Sequence, residues 1–144
     1  MKKNIITLLT LTYLIWGCSG TPKVLEYRTE GCHYCKMTIV DKQHAAQYVT
    51  KKGRTYSFDA AECMLNQLKE INEETVNLFL VNDYNDPGSM LDASKATYLI
   101  SKNIPSPMGE YLSAFGTIEA AREIQTEQGG ELFTWTEIKN RFDL

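Results

Sequence analysis

The 144-residue chain lacks the sequence features that identify most enzymes and nucleic-acid-binding proteins. It has no glycine-rich phosphate loop and no recognisable Ser/His/Asp set, and its carboxylates are scattered rather than paired. Acidic residues outnumber basic ones by 18 to 15, and no basic patch with interleaved aromatics is present, so we expect no nucleic-acid partner. These absences favour a binding protein over an enzyme.

The chain also lacks an apolar run of the length that a membrane span requires. Its most apolar stretch, residues 5–17, follows Lys2 and Lys3 and is shorter than a spanning helix. A positive segment followed by a short apolar one is typical of a secretion signal. The stretch ends in LIWGC, which resembles the lipobox of bacterial lipoproteins, whose cysteine is lipidated. The alternative is an uncleaved apolar anchor with a chance cysteine.

The lipobox predicts a signal peptide at 1–17, followed by a lipidated Cys18 and a tether over 18–31. Acyl chains on Cys18 would hold the protein at a membrane. We therefore predict that it is lipid-anchored in the cell envelope and faces the periplasm. Three further cysteines remain in the mature chain, and an odd number leaves at least one free thiol after any internal pairing.

Beyond the tether, short strands alternate with single helices. Asp59 has the features of a helix N-cap, because Glu62 follows three residues later and apolar residues occupy the flanking positions. Residues 76–82 form a nearly continuous apolar run, which is typical of an internal strand. The first half is thus predicted to contain strands at 37–41, 45–50, 55–58 and 76–82, with one helix from Asp59 to about Ile71.

The second half repeats this pattern. Strands are predicted at 95–101, 113–117 and 131–138, with a helix that is capped by Thr117 and ends at Gly129-Gly130, and with a short amphipathic tail at 137–144. An insertion, NIPSPMGEY, stands where the first half has a tight turn. We therefore predict an α+β fold in which two repeated ββαβ modules, 32–86 and 87–144, pack together.

The stretch CHYCKM at 32–37 places two cysteines, a histidine and a methionine within six positions. A thioredoxin-type CxxC opens a helix, whereas KMTIV after Cys35 favours a strand, which is unfavourable for an oxidoreductase. A Cys32–Cys35 disulfide remains open, because exported proteins meet an oxidising compartment. Zinc would need four ligands, which Cys32, Cys35, Cys63 and His44 could supply, but the chain has no second CxxC.

Copper(I) is the remaining candidate, because soft sulfur donors select it over harder divalent ions. Met37 lies two residues beyond Cys35, so both side chains would share one face of a strand. Met108 stands in the insertion between Pro107 and Gly109, where a large apolar residue has little local function. The alternative for each methionine is ordinary packing.

Three further side chains are weaker candidates for copper ligands. Cys63 lies in the first helical turn, where the helix dipole favours a thiolate, although a packing contact with Phe58 would also explain it. His33 and His44 are candidates because imidazole binds copper. A solvated loop histidine is the alternative for His33.

Taken together, these residues resemble the NosL family of small bacterial lipoproteins, which are encoded with nitrous oxide reductase. The resemblance rests on YCKMTIVD (34–41), AAQY (45–48), FDAAECM (58–64), LVNDY (80–84), SPMGEYLSAF (106–115) and EAAREIQTEQGGELFTW (119–135). It implies a fold of two ββαβ modules that binds a single copper(I) and helps to deliver it for the copper clusters of the reductase. The implied partners are a copper-accepting reductase or its ABC-transporter maturation complex.

The resemblance also implies copper ligands. The Cys-x-Met element of the family falls on Cys35 and Met37, and its Met-Gly element falls on Met108. His44 stands about two places later than the family histidine, and many members lack Cys32, so a further ligand remains open among His44, His33 and Cys32. The alternative functions are a lipid-anchored structural or interaction module with a Cys32–Cys35 disulfide, and a thiol oxidoreductase.

Overall fold

The computed structural model describes residues 21–144, so the predicted signal peptide and Cys18 lie outside the described residues. In this range, none of the helices is long and apolar enough to cross a membrane. The strands are β1 (Ala46–Thr50), β2 (Thr55–Phe58), β3 (Val76–Asn82), β4 (Met90–Asp92), β5 (Thr97–Ile100), β6 (Leu112–Phe115) and β7 (Glu131–Phe133). The helices are α1 (Ala61–Leu68), α2 (Ile118–Gln128) and α3 (Trp135–Arg141), with a 3-10 turn at Glu73–Thr75.

The strands form two antiparallel sheets, which confirms the predicted α+β class. The first sheet has the order β2-β1-β3-β4, and the second has the order β6-β5-β7. In each sheet the strand that begins a hairpin, β1 or β5, lies between its hairpin partner and the strand that follows the helix. β3 is internal, as its apolar run predicts. β4 was not predicted. It pairs with β3, although it lies in 87–144, the range predicted for the second module.

Two predicted strands are wrong or too long. Residues 37–41 form no strand, and only an isolated bridge joins Gly31 and Thr38, because the preceding Lys36 has a left-handed backbone with φ of 66°. β7 ends at Phe133 rather than residue 138. A capping box between Thr134 and Glu137 begins α3 there, and the capped helix replaces the end of the predicted strand.

The predicted helix boundaries are right for α2 and partly wrong for α1. The Thr117 side chain accepts a hydrogen bond from the Ala120 N–H, and α2 ends where Gly129 adopts a positive φ of 68°. α1, in contrast, has Ala60 at its N-cap and no side-chain cap, and it ends at Leu68. The predicted cap, Asp59, instead accepts a hydrogen bond from the Val40 N–H at 3.4 Å.

One core cluster joins the two halves of the chain. The Trp135 ring of α3 lies 5.7 Å from the Phe79 ring of β3 and 5.8 Å from the Tyr98 ring of β5, measured between centroids. α1 contacts β1 and β2 of the first sheet and β6 of the second. The contact with β6 explains why Glu62 is buried as well as the apolar residues of the helix, since Glu62 accepts a hydrogen bond from the Leu112 N–H.

The capping box of α3 gives a first testable prediction. Thr134→Ala removes the hydroxyl that accepts the Glu137 N–H, so we expect the free energy of unfolding to fall by about 1 kcal/mol. Urea denaturation of the full chain measures this change. The control is Thr126→Ala, because the Thr126 hydroxyl donates to the Arg122 carbonyl inside α2 and caps no helix. Equal losses of stability in the two variants would contradict the assigned cap.

Candidate metal centre

Three cysteine sulfurs meet at one place in the structure. The Sγ atoms of Cys32, Cys35 and Cys63 all lie within 4.8 Å of one another, and all three thiols are free. Cys32 and Cys63 are 2% and 0% exposed, whereas Cys35 is partly exposed. The three side chains, which we call the thiol cluster, are therefore open to solvent on the Cys35 side.

The loop at 31–38 brings two of these cysteines together by folding back on itself. The Cys32 N–H donates to the Met37 carbonyl at 2.8 Å, and the Lys36 N–H donates to the Cys32 carbonyl at 3.1 Å. The His33 N–H donates to the Ser57 carbonyl at 2.8 Å, which fastens the loop to β2. Because β2 leads directly into α1, this attachment brings the loop close to Cys63 on that helix.

Hydrogen bonding concentrates negative charge on one sulfur of the cluster. The Cys63 thiol donates toward Cys32 and lowers the pKa of Cys32 to about 4, and the backbone N–H groups of Asp59 and Cys35 act in the same direction, against the effect of burial. The same interaction raises the pKa of Cys63, and burial also raises it. Burial raises the pKa of Cys35, as does the Cys32 thiolate. The cluster thus holds one thiolate near neutral pH.

A single soft ion fits this arrangement. Sulfurs that bind one ion at roughly 2.3 Å stand about 4 Å apart in a trigonal site, so the observed spacing of up to 4.8 Å needs only a small contraction. A preformed thiolate matches a soft cation such as copper(I). Within residues 21–144, neither histidine joins the three sulfurs to complete the four-ligand set that structural zinc would need.

His44 lies in a different polar cluster. It is 5% exposed, its Nδ1 lies 2.9 Å from Asp41 Oδ2, and its Nε2 lies 3.1 Å from Ser113 Oγ. Both ring nitrogens thus have partners. The sequence analysis recognised no Ser/His/Asp set, but the structure brings one together at these three residues. Ser113 is, however, buried on β6, where no substrate reaches it. The cluster connects β6 to the segment before β1.

His33 packs against aromatic side chains of β2 rather than joining the thiol cluster. Its ring centroid lies 4.6 Å from that of Tyr56 and 6.2 Å from that of Phe58, both edge-on. Partial burial lowers the pKa of His33, and the positive charges of Lys36 and Arg54 lower it further. His33 is therefore a neutral packing residue in this structure.

The two predicted methionine ligands lie at different depths. Met37 is 56% exposed, and its backbone N–H donates to the Cys35 sulfur, so it stands at the open side of the thiol cluster. Met108 is half-buried in the insertion loop, where it packs against the core cluster that contains Cys32 and Cys63. The role of both methionines as ligands stays a prediction.

A sequence model of the NosL family matches residues 25–142. The chain belongs to the NosL family. It is 24% identical over 143 residues to the copper-binding lipoprotein NosL of Stutzerimonas stutzeri, in an alignment that covers 89% of this chain and 75% of that protein. The crystal structure of the copper chaperone NosL from Shewanella denitrificans has the same fold, with a TM-score of 0.72, 20% identity, and coverage of 82% of this chain and 95% of that one.

Membership of the NosL family confirms the resemblance that the sequence motifs indicated. Cys32, which the resemblance left open as a further ligand, is one of the three clustered sulfurs. Cys63 is another, although a packing contact also accounted for it at the sequence level. The position of Cys63 in a first helical turn was the only local signal. Its distance to the CxxC loop depends on how α1 packs.

The backbone of the CxxC loop gives a second testable prediction. Lys36 has a positive φ of 66°, which glycine adopts freely and β-branched residues adopt only with strain. We expect Lys36→Val to lower the free energy of unfolding by about 1–2 kcal/mol and Lys36→Gly to leave it unchanged or raised. Both variants remove the hydrogen bond that the Lys36 ammonium donates to the His33 carbonyl. The difference between their free energies of unfolding in urea therefore reports the backbone effect alone. Equal changes would contradict the assigned loop conformation.

Proposed function

We propose that this protein is a non-enzymatic carrier that binds one copper(I) ion at the thiol cluster and delivers it for maturation of nitrous oxide reductase. The observation that carries the proposal is the convergence of Cys32, Cys35 and Cys63 within 4.8 Å. The names of the relatives, a copper-binding lipoprotein and a copper chaperone, support the same cargo.

The three thiols take different parts in the proposed transfer. Cys32 supplies the negative charge that attracts the cation, and Cys63 closes the buried side of the site. Cys35 is the partly exposed thiol, through which copper is exchanged with an incoming ligand of the acceptor. Met37 and Met108 supply weaker thioether contacts, which hold copper during entry and exit. Few, soft donors near the surface suit a site that must release its ion.

The proposed setting follows from the segment before the fold. Lipidation of Cys18 anchors the protein in the cell envelope, and the tether over 18–31 lets the thiol cluster face a periplasmic acceptor. The acceptor is the reductase itself or its ABC-transporter maturation complex. We also propose that 32–86 and 87–144 are repeats of one ββαβ unit, which the matching orders β2-β1-β3 and β6-β5-β7 support.

Anaerobic titration of the full chain with copper(I), in competition with a chromophoric copper(I) chelator, tests the proposal. We expect one tightly bound equivalent, which moves to the copper-free reductase or its maturation complex on mixing. The control is a variant in which all three clustered cysteines are serine. Binding of equal strength and stoichiometry by this variant would contradict the proposal.

The low pKa of Cys32 also favours a second candidate, a thiol oxidoreductase, because such enzymes need an acidic cysteine beside another thiol. Burial of Cys32 at 2% exposure is unfavourable for attack on a protein disulfide. Turnover of a dithiol substrate by the copper-free protein, lost in Cys32→Ser, would support this candidate. We expect no turnover above that of the free thiols.

A further inference from the structure

Glu62 is a buried carboxylate that the proposed copper site does not use. Its side chain is 0% exposed, and it precedes Cys63 on α1. Fully buried acidic residues are rare unless they have partners. Here one oxygen, Oε1, accepts a hydrogen bond from the Ser106 hydroxyl and another from the Leu112 backbone N–H at 3.4 Å. The other oxygen, Oε2, forms no hydrogen bond within the described part of the chain.

The two partners of Glu62 stand at the two ends of the loop that carries Met108. Ser106 begins this loop, and its hydroxyl oxygen also accepts the Tyr111 N–H at 2.9 Å. The Gly109 N–H donates to the Ser106 carbonyl at 3.0 Å, which closes the turn around Met108. Leu112 is the first residue of β6. One carboxylate oxygen therefore fastens both ends of the loop to α1.

We propose that Glu62 is a positioning residue for copper, because it fixes the Met108 loop to the helix that carries Cys63. The inference rests on the proposed function and on Met108 as a thioether donor. A ligand on a loop loses affinity when the loop must be ordered at each binding event, and fixing the loop beforehand removes that loss. Glu62 thus holds the thioether of the second half at a set place relative to the thiols of the first.

The chemistry of the residue agrees with this role. A buried carboxylate is costly to desolvate, and an apolar side chain of similar size would serve packing at least as well. An oxygen of the Glu62 side chain, however, accepts hydrogen bonds, which an apolar side chain cannot do. It can also accept two at once, as Oε1 does here. The position therefore favours an acceptor that holds two loop residues.

Copper(I) affinities of full-chain variants, measured anaerobically against a competing chelator, test the inference. We expect Glu62→Ala and Ser106→Ala each to weaken binding by about 10-fold or more, in the range of residues that orient metal ligands. The double variant should lose no more than the stronger single one, because both changes break the same link. We expect Glu62→Gln to bind almost as tightly as the parent, because its amide oxygen can replace Oε1 in both hydrogen bonds.

The Met108→Leu background separates positioning from general stability. We expect Met108→Leu to weaken binding and the further change Glu62→Ala to have no additional effect on affinity, although it still lowers the melting temperature. Gln67→Ala is the matched control, since Gln67 is a buried polar residue of α1 whose side chain donates to Glu70 of the same segment, at 3.3 Å. It should lower stability without changing affinity.

Two kinds of result would overturn the inference. An effect of Glu62→Ala that is as large in the Met108→Leu background as in the parent, or is matched by Gln67→Ala, would leave the copper-carrier function intact and remove the role of Glu62. The same holds if Met108→Leu binds as tightly as the parent. Failure of the parent itself to bind copper(I) would instead overturn the proposed function, and this inference with it.

Discussion

Replacing Cys32 with serine is expected to weaken copper(I) binding by at least about 100-fold, or about 2.7 kcal/mol. Cys32 carries the negative charge of the thiol cluster, with its pKa lowered to about 4 by Cys63, Asp59 and Cys35. A serine hydroxyl at this place stays protonated and offers a hard oxygen, which copper(I) does not favour. Chelator competition under anaerobic conditions measures the loss.

The same competition experiment distinguishes a three-thiol site from one built on Cys35 alone. We expect Cys63→Ser to weaken binding clearly, although Cys63 is 0% exposed and lies 31 positions after Cys32 in the chain. The control is Met90→Leu, which removes a sulfur from β4 and leaves the three clustered cysteines in place. Retention of parental affinity by both Cys32→Ser and Cys63→Ser would limit the site to Cys35 and the methionines.

Copper(I) binding is expected to stabilise the folded chain by about 4 kcal/mol when the free ion is held at 1,000 times its Kd. For a domain of this size the melting temperature should rise on the order of 10–20 °C. The reason is that the three ligands come from two separate segments, the loop at 31–38 and α1. Copper therefore binds the folded state far better than the unfolded chain.

Thermal unfolding of the full chain with buffered copper(I) measures this stabilisation. The increment, measured against the metal-free form of the same variant, should fall to about 1.4 kcal/mol or less in Cys32→Ser. An equal increment in the variant would mean that copper stabilises the chain from another place. A decrease on adding copper would mean that the unfolded thiols bind the ion better than the folded cluster.

The sequence predicted the elements whose signals are local. The run at 76–82 lies in an internal strand because its apolar residues meet neighbours on both sides. α2 begins at the Thr117 cap and ends at Gly129 as predicted, since a hydroxyl acceptor and a positive φ act within one turn of the helix.

The errors arise where two local signals compete or where distant contacts decide. At 131–138 an alternating strand pattern overlaps the Thr134–Glu137 capping box, and the box prevails after Phe133. At 37–41 the β-branched residues favour a strand, but the loop that precedes them turns at Lys36 and closes on Cys32. No neighbouring strand is then in register beyond the bridge to Thr38.

The candidate site was only partly accessible from sequence. The CxxC spacing identified Cys32 and Cys35 as a pair, because the motif itself brings them close. Their approach to Cys63 depends on the packing of α1, and the His44–Ser113 contact joins residues 69 positions apart. Ser113, one of the two partners of His44, and both partners of Glu62 come from the second half of the chain. Polar contacts of this kind have no signature in either segment alone.

X-ray absorption at the copper edge, on the full chain loaded with one equivalent of copper(I), tests the central claim most directly. The thiol cluster predicts a first shell of at least three sulfurs at roughly 2.3 Å, with the sulfur count reduced in Cys32→Ser and in Cys63→Ser. A shell that contains nitrogen or oxygen, or a sulfur count unchanged in both variants, would contradict a copper site at these three cysteines.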